Sequence, residues 1–168
     1  MSATIDTNST ASTPLDAASL EARHLEAESQ VRVYHYEKPE AEKAKARVRL
    51  GKSELVTAAV QIVKKDGGEN NMHYHTTVDT FWMVLKGRVR FYGPGDELIG
   101  EFGPMEGTIT PRYSRYWFEN AGDEELELLQ VGASMGPAVD GGPMGGRTDA
   151  APQRFKIGTT ERFTAEKS

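Results

Sequence analysis

"GGENNMHYHTTVDTFWMVLKG" (residues 67–87) decides how this chain reads. It holds two of the four histidines, one residue apart, in a stretch that otherwise has the look of β-strand. Side chains at i and i+2 of a strand point the same way, so His73 and His75 stand side by side and are able to share one ion. Neutral imidazole suits a transition metal such as Fe, Zn, Mn, Ni or Cu. The plainer alternative is a pair that hydrogen-bonds inside a polar cavity.

Outward from this stretch the same short, bounded pattern repeats. "LVTAAVQIV" (55–63), "MHYHTTV" (72–78), "TFWMVLKGRVRFYG" (80–93), "ELIGEFG" (97–103), "GTITP" (107–111), "YWFENAG" (116–122) and "LELLQVGA" (126–133) are strand-like, and most are bounded by Gly, Pro, Asp or Asn. "YGPGDE" (92–97) and "NAGDEE" (120–125) carry the turn chemistry that joins antiparallel strands. About seven to nine short strands with little helix predict an all-β sandwich or barrel.

The flanks read differently. Residues 1 to 16 are rich in Ser, Thr and Ala and read as disordered; "AASLEARHLEAES" (17–29) suits a short helix with Asp16 as N-cap. "VRVYHY" (31–36) alternates and predicts a strand, and "PEAEKAKAR" (39–47) reads as a charged, helix-compatible link. The organisation expected is therefore an N-terminal extension over 1–30, a barrel over 31–133, and a Gly- and Pro-rich extension over 134–168 in which Phe155, Ile157 and Phe163 can dock on the domain or on a second subunit.

The bulk numbers narrow the class. A chain of 168 residues suits one domain with a sizeable core, and a net charge of −5 argues against nucleic acid as the main partner. No apolar run is long enough to span a bilayer, the start lacks the basic-then-apolar order of a signal peptide, and there is no cysteine. A cytoplasmic address with no membrane partner is the expectation. His24 reads as a solvated surface residue and Glu69 as a solvated loop residue. Arg88 and Arg90, with Arg47, Arg49 and Arg32, read as outer-face charges that discourage edge-to-edge pairing.

Two motifs resemble those of the cupin family. The first cupin signature is Gly, five residues, His-x-His, three or four residues, Glu, six residues, Gly; here Gly67, His73, His75 and Gly87 match and the Glu position falls on Thr80. The second is Pro-x-Gly-x-x-His-x-x-x-Asn; here Pro111 and Asn120 keep the register, with Tyr113 at the Gly position and Tyr116 at the His position. The resemblance covers roughly residues 55–133. It implies a double-stranded β-helix, a jelly-roll barrel with one open mouth, and a homodimer formed by pairing outer strands, for which 31–50 is the candidate segment. Cupin metal sites commonly use both histidines, the Glu and the second-signature His. Two of those four ligands are changed here, so the resemblance implies a divalent metal (Fe, Zn, Mn or Ni) only at His73 and His75.

Other site residues follow from the same frame. Tyr116 stands at the third-ligand position as ligand, acid, base or hydrogen-bond donor, and otherwise as a packed residue at the barrel mouth. Asp79 precedes the Glu position by one and acts as ligand or base if a bulge re-aims it; otherwise it is a turn residue or strand-start cap. By alternation, Thr80, Trp82 and Val84 face inward, as do Tyr116 and Phe118, while Trp117 faces out. Trp82, Phe118, Gln61 and Thr80 are thus candidate substrate contacts in a partly apolar pocket, or ordinary barrel core in the case of the aromatics. The function expected is a small-molecule enzyme of oxygenase, lyase, isomerase or dehydratase type; the alternative is a non-catalytic metabolite-binding protein for sensing or storage.

Overall fold

The computed structural model describes residues 16–65, 67–136, 147–150 and 160–165. Most of the Ser/Thr-rich start, much of the Gly/Pro-rich extension, and Phe155 and Ile157 lie outside the described residues. Contacts divide the chain into two units, Met1–Val33 and Tyr34–Ser168.

The first unit holds α1, Ala17–Ser29. Asp16 caps it as expected: its Oδ1 accepts the backbone N–H of Ser19 at 2.8 Å, satisfying one of the orphan donors of the first turn. The helix buries no residue. The strand expected over 31–36 does not form; a lone bridge residue at His35 is what remains. Val31 and Val33 stay exposed, so the alternation there has no burial behind it.

The second unit is built of strands. In chain order they are β1 (Lys45–Lys52), β2 (Val56–Val63), β3 (His73–His75), β4 (Val78–Lys86), β5 (Val89–Tyr92), β6 (Leu98–Phe102), β7 (Gly107–Thr110), β8 (Trp117–Asn120), β9 (Leu126–Ser134), β10 (Arg147–Asp149) and β11 (Glu161–Thr164). Six of them form one sheet in the order β11-β1-β2-β9-β4-β7. Opposite it lie a three-stranded sheet, β6-β5-β8, and the pair β10-β3. A backbone bridge between His73 and Tyr116 joins β3 to the residue just ahead of β8. Every ladder is antiparallel except β1 with β11, which run parallel.

The larger sheet is covered on both faces. Val63, Trp82, Val84, Leu126 and Leu128 meet Val89, Phe91, Tyr116 and Phe118 of the opposing layer, with Phe102 against them. That is the barrel core, and each fully buried aliphatic side chain in it stabilises the fold by about 1.5–3 kcal/mol. On the outer face Ala46, Val48, Leu50, Val60 and Ile62 form a second cluster, packed by Tyr36, Ala41, Leu85, Leu129 and Phe163. Phe163 therefore docks on the chain's own domain, through β11.

Two glycines make the close contacts possible. Gly87, the last glycine of the first motif, turns β4 into β5 at φ 83°, where an L side chain is strained. Gly107 lets β7 pass β4: a Cβ there would lie 1.9 Å from the Trp82 carbonyl oxygen.

β1 corrects two expectations. The segment 39–47 forms no helix, and Lys45 opens β1. Arg47 is half-buried rather than solvated, and Arg49, on the same side of the strand, stays exposed. They pair across the ladder with Gln61 and Ala59, while Val48 takes the outer cluster with Val60 and Ile62. Partners in an antiparallel ladder share a face, so Lys45, Arg47 and Arg49 lie on the face of Val63 and Gln61 that looks into the barrel. In "KARVRL" the apolar half, Ala46, Val48 and Leu50, belongs to the outer cluster. Arg88 and Arg90, by contrast, both ion-pair with Glu101, at 3.0 and 2.7 Å. No helix among the described residues is long and apolar enough to cross a membrane.

Candidate functional site

β3 is three residues long, and its period of two puts both imidazoles on one face. His73 and Tyr116 exchange both backbone hydrogen bonds at 3.0 Å, so their side chains stand directly opposite one another. The ring centroids of His73 and His75 are 5.3 Å apart and those of His73 and Tyr116 4.6 Å. On the other side of β3, Arg147 pairs with His75 and Asp149 with His73. One row across the three segments thus reads Asp149, His73, Tyr116, and the next reads Arg147, His75.

His73 is buried, and its Nδ1 lies 2.8 Å from the Asn71 carbonyl oxygen. A carbonyl only accepts, so Nδ1 carries the hydrogen and Nε2 keeps its lone pair in the neutral ring. Burial, then the charge of Arg147, lowers the His73 pKa to about 3; His75 and Lys45 push the same way and the Asn71 bond opposes them. Tyr116 is 1% exposed, and its hydroxyl completes no well-formed hydrogen bond although Thr110 is near. Burial raises its pKa to about 12, against smaller opposing effects of Thr110 and Arg147, so the phenol stays protonated and is a donor.

Thr80 is equally buried, and its hydroxyl also lacks a partner. The Trp82 indole donates to Thr110 Oγ1 at 3.0 Å, and its ring lies 5.5 to 6.0 Å from those of Phe91, Tyr116 and Phe118. Trp82 and Phe118 form the packed floor beneath the histidines. Gln61 faces inward and is held by Gln130 at 2.9 Å. Asp79 sits on the opposite face from Thr80, where it accepts the Arg112 backbone N–H at 2.8 Å. Trp117 points to the other side of β8 but is buried, stacked on Tyr92 at 4.3 Å with its indole donating to Asp96. The structure thus gathers His73, His75 and Tyr116, packs Trp82 and Phe118 against that group, sets Thr80 on the strand face of Trp82, and leaves Asp79 apart.

Tyr113 stands where the second cupin signature has glycine, and the backbone keeps glycine's conformation: φ is +65°. Its N–H donates to the His75 carbonyl at 2.7 Å, which holds the turn against β3. A non-glycine residue there costs about 1–2 kcal/mol. Tyr113→Gly is therefore expected to raise stability by up to about 1 kcal/mol, since glycine returns some gain as unfolded-state entropy. Chemical denaturation checks it; a lower midpoint in the variant contradicts it.

Sequence reading missed two residues. Lys45 lies with its ammonium 4.9 Å from the centroid of the Phe118 ring, and its pKa falls to about 7, first through burial and then through Arg147 and Arg47. Arg147 bonds Asp149 at 3.0 Å through Nη2, while its Nε is buried without a partner. Continuing the alternation back from Arg49 and Arg47 reaches Lys45, so that signal was present. Nothing local marks Arg147, which meets β3 only in three dimensions.

Among the described residues the donor set does not fit a resident divalent cation. Among the described residues no three His, Cys, Asp or Glu side chains converge. Thr80 and Tyr116 supply no carboxylate or imidazole where the cupin motifs have them, and Lys45 and Arg147 bring positive charge to the place a cation would occupy.

Two layers of short antiparallel strands, joined at the His73–Tyr116 bridge, define a double-stranded β-helix with a polar cluster between its sheets. No protein-family profile matches the chain, and no curated protein matches it by sequence. Solved structures do. A double-stranded β-helix protein from Klebsiella pneumoniae is 16% identical, with a TM-score of 0.57 over 73% of this chain and 100% of that one. An RmlC-like cupin from Methanocaldococcus jannaschii is 19% identical, with a TM-score of 0.51 over 62% and 92%. Lactobacillus farciminis oxalate decarboxylase, in complex with formate, is 17% identical, with a TM-score of 0.50 over 67% of this chain and 33% of that one. At these identities the likeness establishes the fold alone, a double-stranded β-helix.

Proposed function

We propose that the chain is a small-molecule enzyme whose site at His73 and His75 moves protons on a carbonyl-bearing ligand, by isomerase, lyase or dehydratase chemistry. The observation that carries this reading is the facing pair of His73 and Tyr116. One is a neutral imidazole with Nε2 free to accept a proton, and the other a phenol that stays protonated with no partner of its own. His73 Nε2 takes a proton from a carbon next to a carbonyl, and Tyr116 donates a hydrogen bond to the carbonyl oxygen as charge builds there. Return of the proton to another carbon isomerises the ligand; its delivery to a β-hydroxyl, which leaves as water as the C–O bond breaks, dehydrates it. The burial that keeps His73 neutral also makes it a weak base, so only a strongly activated C–H, such as one between two carbonyl groups, lies within its reach. That a cupin-fold neighbour is a decarboxylase supports an enzyme by analogy of fold only.

The test is deuterium exchange followed by NMR for small keto, enol and hydroxy compounds that bind. His73→Gln is expected to slow exchange by about 10²-fold or more, and Tyr116→Phe by about tenfold or more, with folding intact. A compound that binds tightly yet neither exchanges nor turns over in the unsubstituted protein favours the alternative, a metabolite-binding cupin for sensing or storage. The metal-dependent version, which alone admits oxygenase chemistry, rests on the two adjacent imidazoles. Elemental analysis beside a His73→Ala, His75→Ala double variant decides it, since equal, near-zero metal in both removes it.

A further inference from the structure

We propose that the ligand of this barrel is a small organic acid whose carboxylate is held between Lys45 and Arg147; this names the substrate class of the site above and rests on that reading for its location. Lys45 and Arg147 come from opposite layers, β1 and β10, and converge near His73, whose ionisation both of them disfavour. No carboxylate ion-pairs with Lys45 among the described residues; Glu69 offsets it only weakly, and its ammonium rests on the Phe118 face instead. Arg147 spends one nitrogen on Asp149 and buries another without an acceptor.

The surrounding orphans are of one kind. The hydroxyls of Tyr116 and Thr80, each 1% exposed, lack partners and can both donate. Buried donors and cations left unsatisfied are costly, and one group that is anionic, planar and rich in acceptors satisfies them together. A carboxylate is such a group. A metal ion would meet like charge, and a neutral ligand would leave the Lys45 ammonium without a counter-charge and the Arg147 Nε without an acceptor. Trp82, Phe91 and Phe118 close the floor, so the acid is small.

The charge continues outward along the same face. Arg47 and Arg49 follow Lys45 on β1, and Arg162 of β11 is paired with Arg47. Burial and then the proximity of Arg49 and Arg162 make the Arg47 guanidinium less basic than usual. No acid among the described residues ion-pairs with these three arginines. A positive track leading to the site favours approach of an anion.

Calorimetry at pH 6.5 with acetate, oxalate and succinate, each beside its neutral amide, tests the proposal. At least one acid is expected to bind while its amide does not. Lys45→Met and Arg147→Gln are each expected to weaken that binding by at least about tenfold, and Arg90→Gln, a cation outside the site that pairs with Glu101, to leave it within a few-fold. Lys45→Gln stands in if Lys45→Met misfolds. Amides binding as well as acids, no binding by any of the three acids, or binding indifferent to both cations overturns it. Acid binding without deuterium exchange sinks the catalytic reading and leaves this one; exchange on neutral compounds with no preference for acids does the reverse.

Discussion

Trp82→Ala is expected to cost about 3–5 kcal/mol, the range for removing a large aromatic side chain from a core. Trp82 is 1% exposed, touches Phe91, Tyr116 and Phe118, and bonds Thr110 through its indole. Truncation opens a cavity in the middle of the barrel and leaves Thr110 without its donor. A loss this large is a substantial fraction of an ordinary domain's stability. It should appear as a lowered urea midpoint, and as an unfolded variant if the parent is only modestly stable. Trp82→Phe should recover part of the packing and none of the hydrogen bond. A midpoint for Trp82→Ala within about 1 kcal/mol of the parent's would mean that the ring lines open space instead of filling the core.

Acid is expected to unfold the protein through His73. Its folded pKa of about 3 lies below the ordinary value of 6.5, so as pH falls the unfolded chain takes up the proton first. Stability present above pH 6.5 is lost progressively between pH 6.5 and pH 3, by a few kcal/mol. Lys45 acts in the same direction at higher pH: with a folded value of about 7 against 10.5, stability rises from pH 7 to pH 10.5. Denaturation midpoints measured from pH 3 to pH 7 should fall steeply for the parent and less steeply for His73→Gln, the difference isolating this ring from the carboxylates. Parallel curves would show that His73 is charged without penalty and hence not enclosed.

The barrel was legible because its strands alternate cleanly. Thr80, Trp82 and Val84 are all at most 1% exposed, while Phe81 between them is exposed, as the period of two requires. The two motifs fixed register as well: Gly87 sits at a true left-handed turn, and Tyr113 keeps the backbone of the glycine it replaces. Charge was harder to read. An alternating basic and apolar strand such as "KARVRL" does not say which half faces the core when both faces of the sheet are covered. Here the apolar half packs outward and the basic half looks in. The partners of β3 could not be read either. Its neighbour β10 follows a long Gly- and Pro-rich stretch with no periodicity, so the approach of Arg147 to His75 is a product of tertiary pairing alone.

The parallel pairing of β1 with β11 sets an order of events during synthesis. β1 and β2 can zip together as soon as both have left the ribosome, because one short turn joins them. The free edge of β1 stays bare until residues 161–164 arrive. Until then a row of unsatisfied amides and carbonyls is open to any extended chain nearby, and β11 is what closes it.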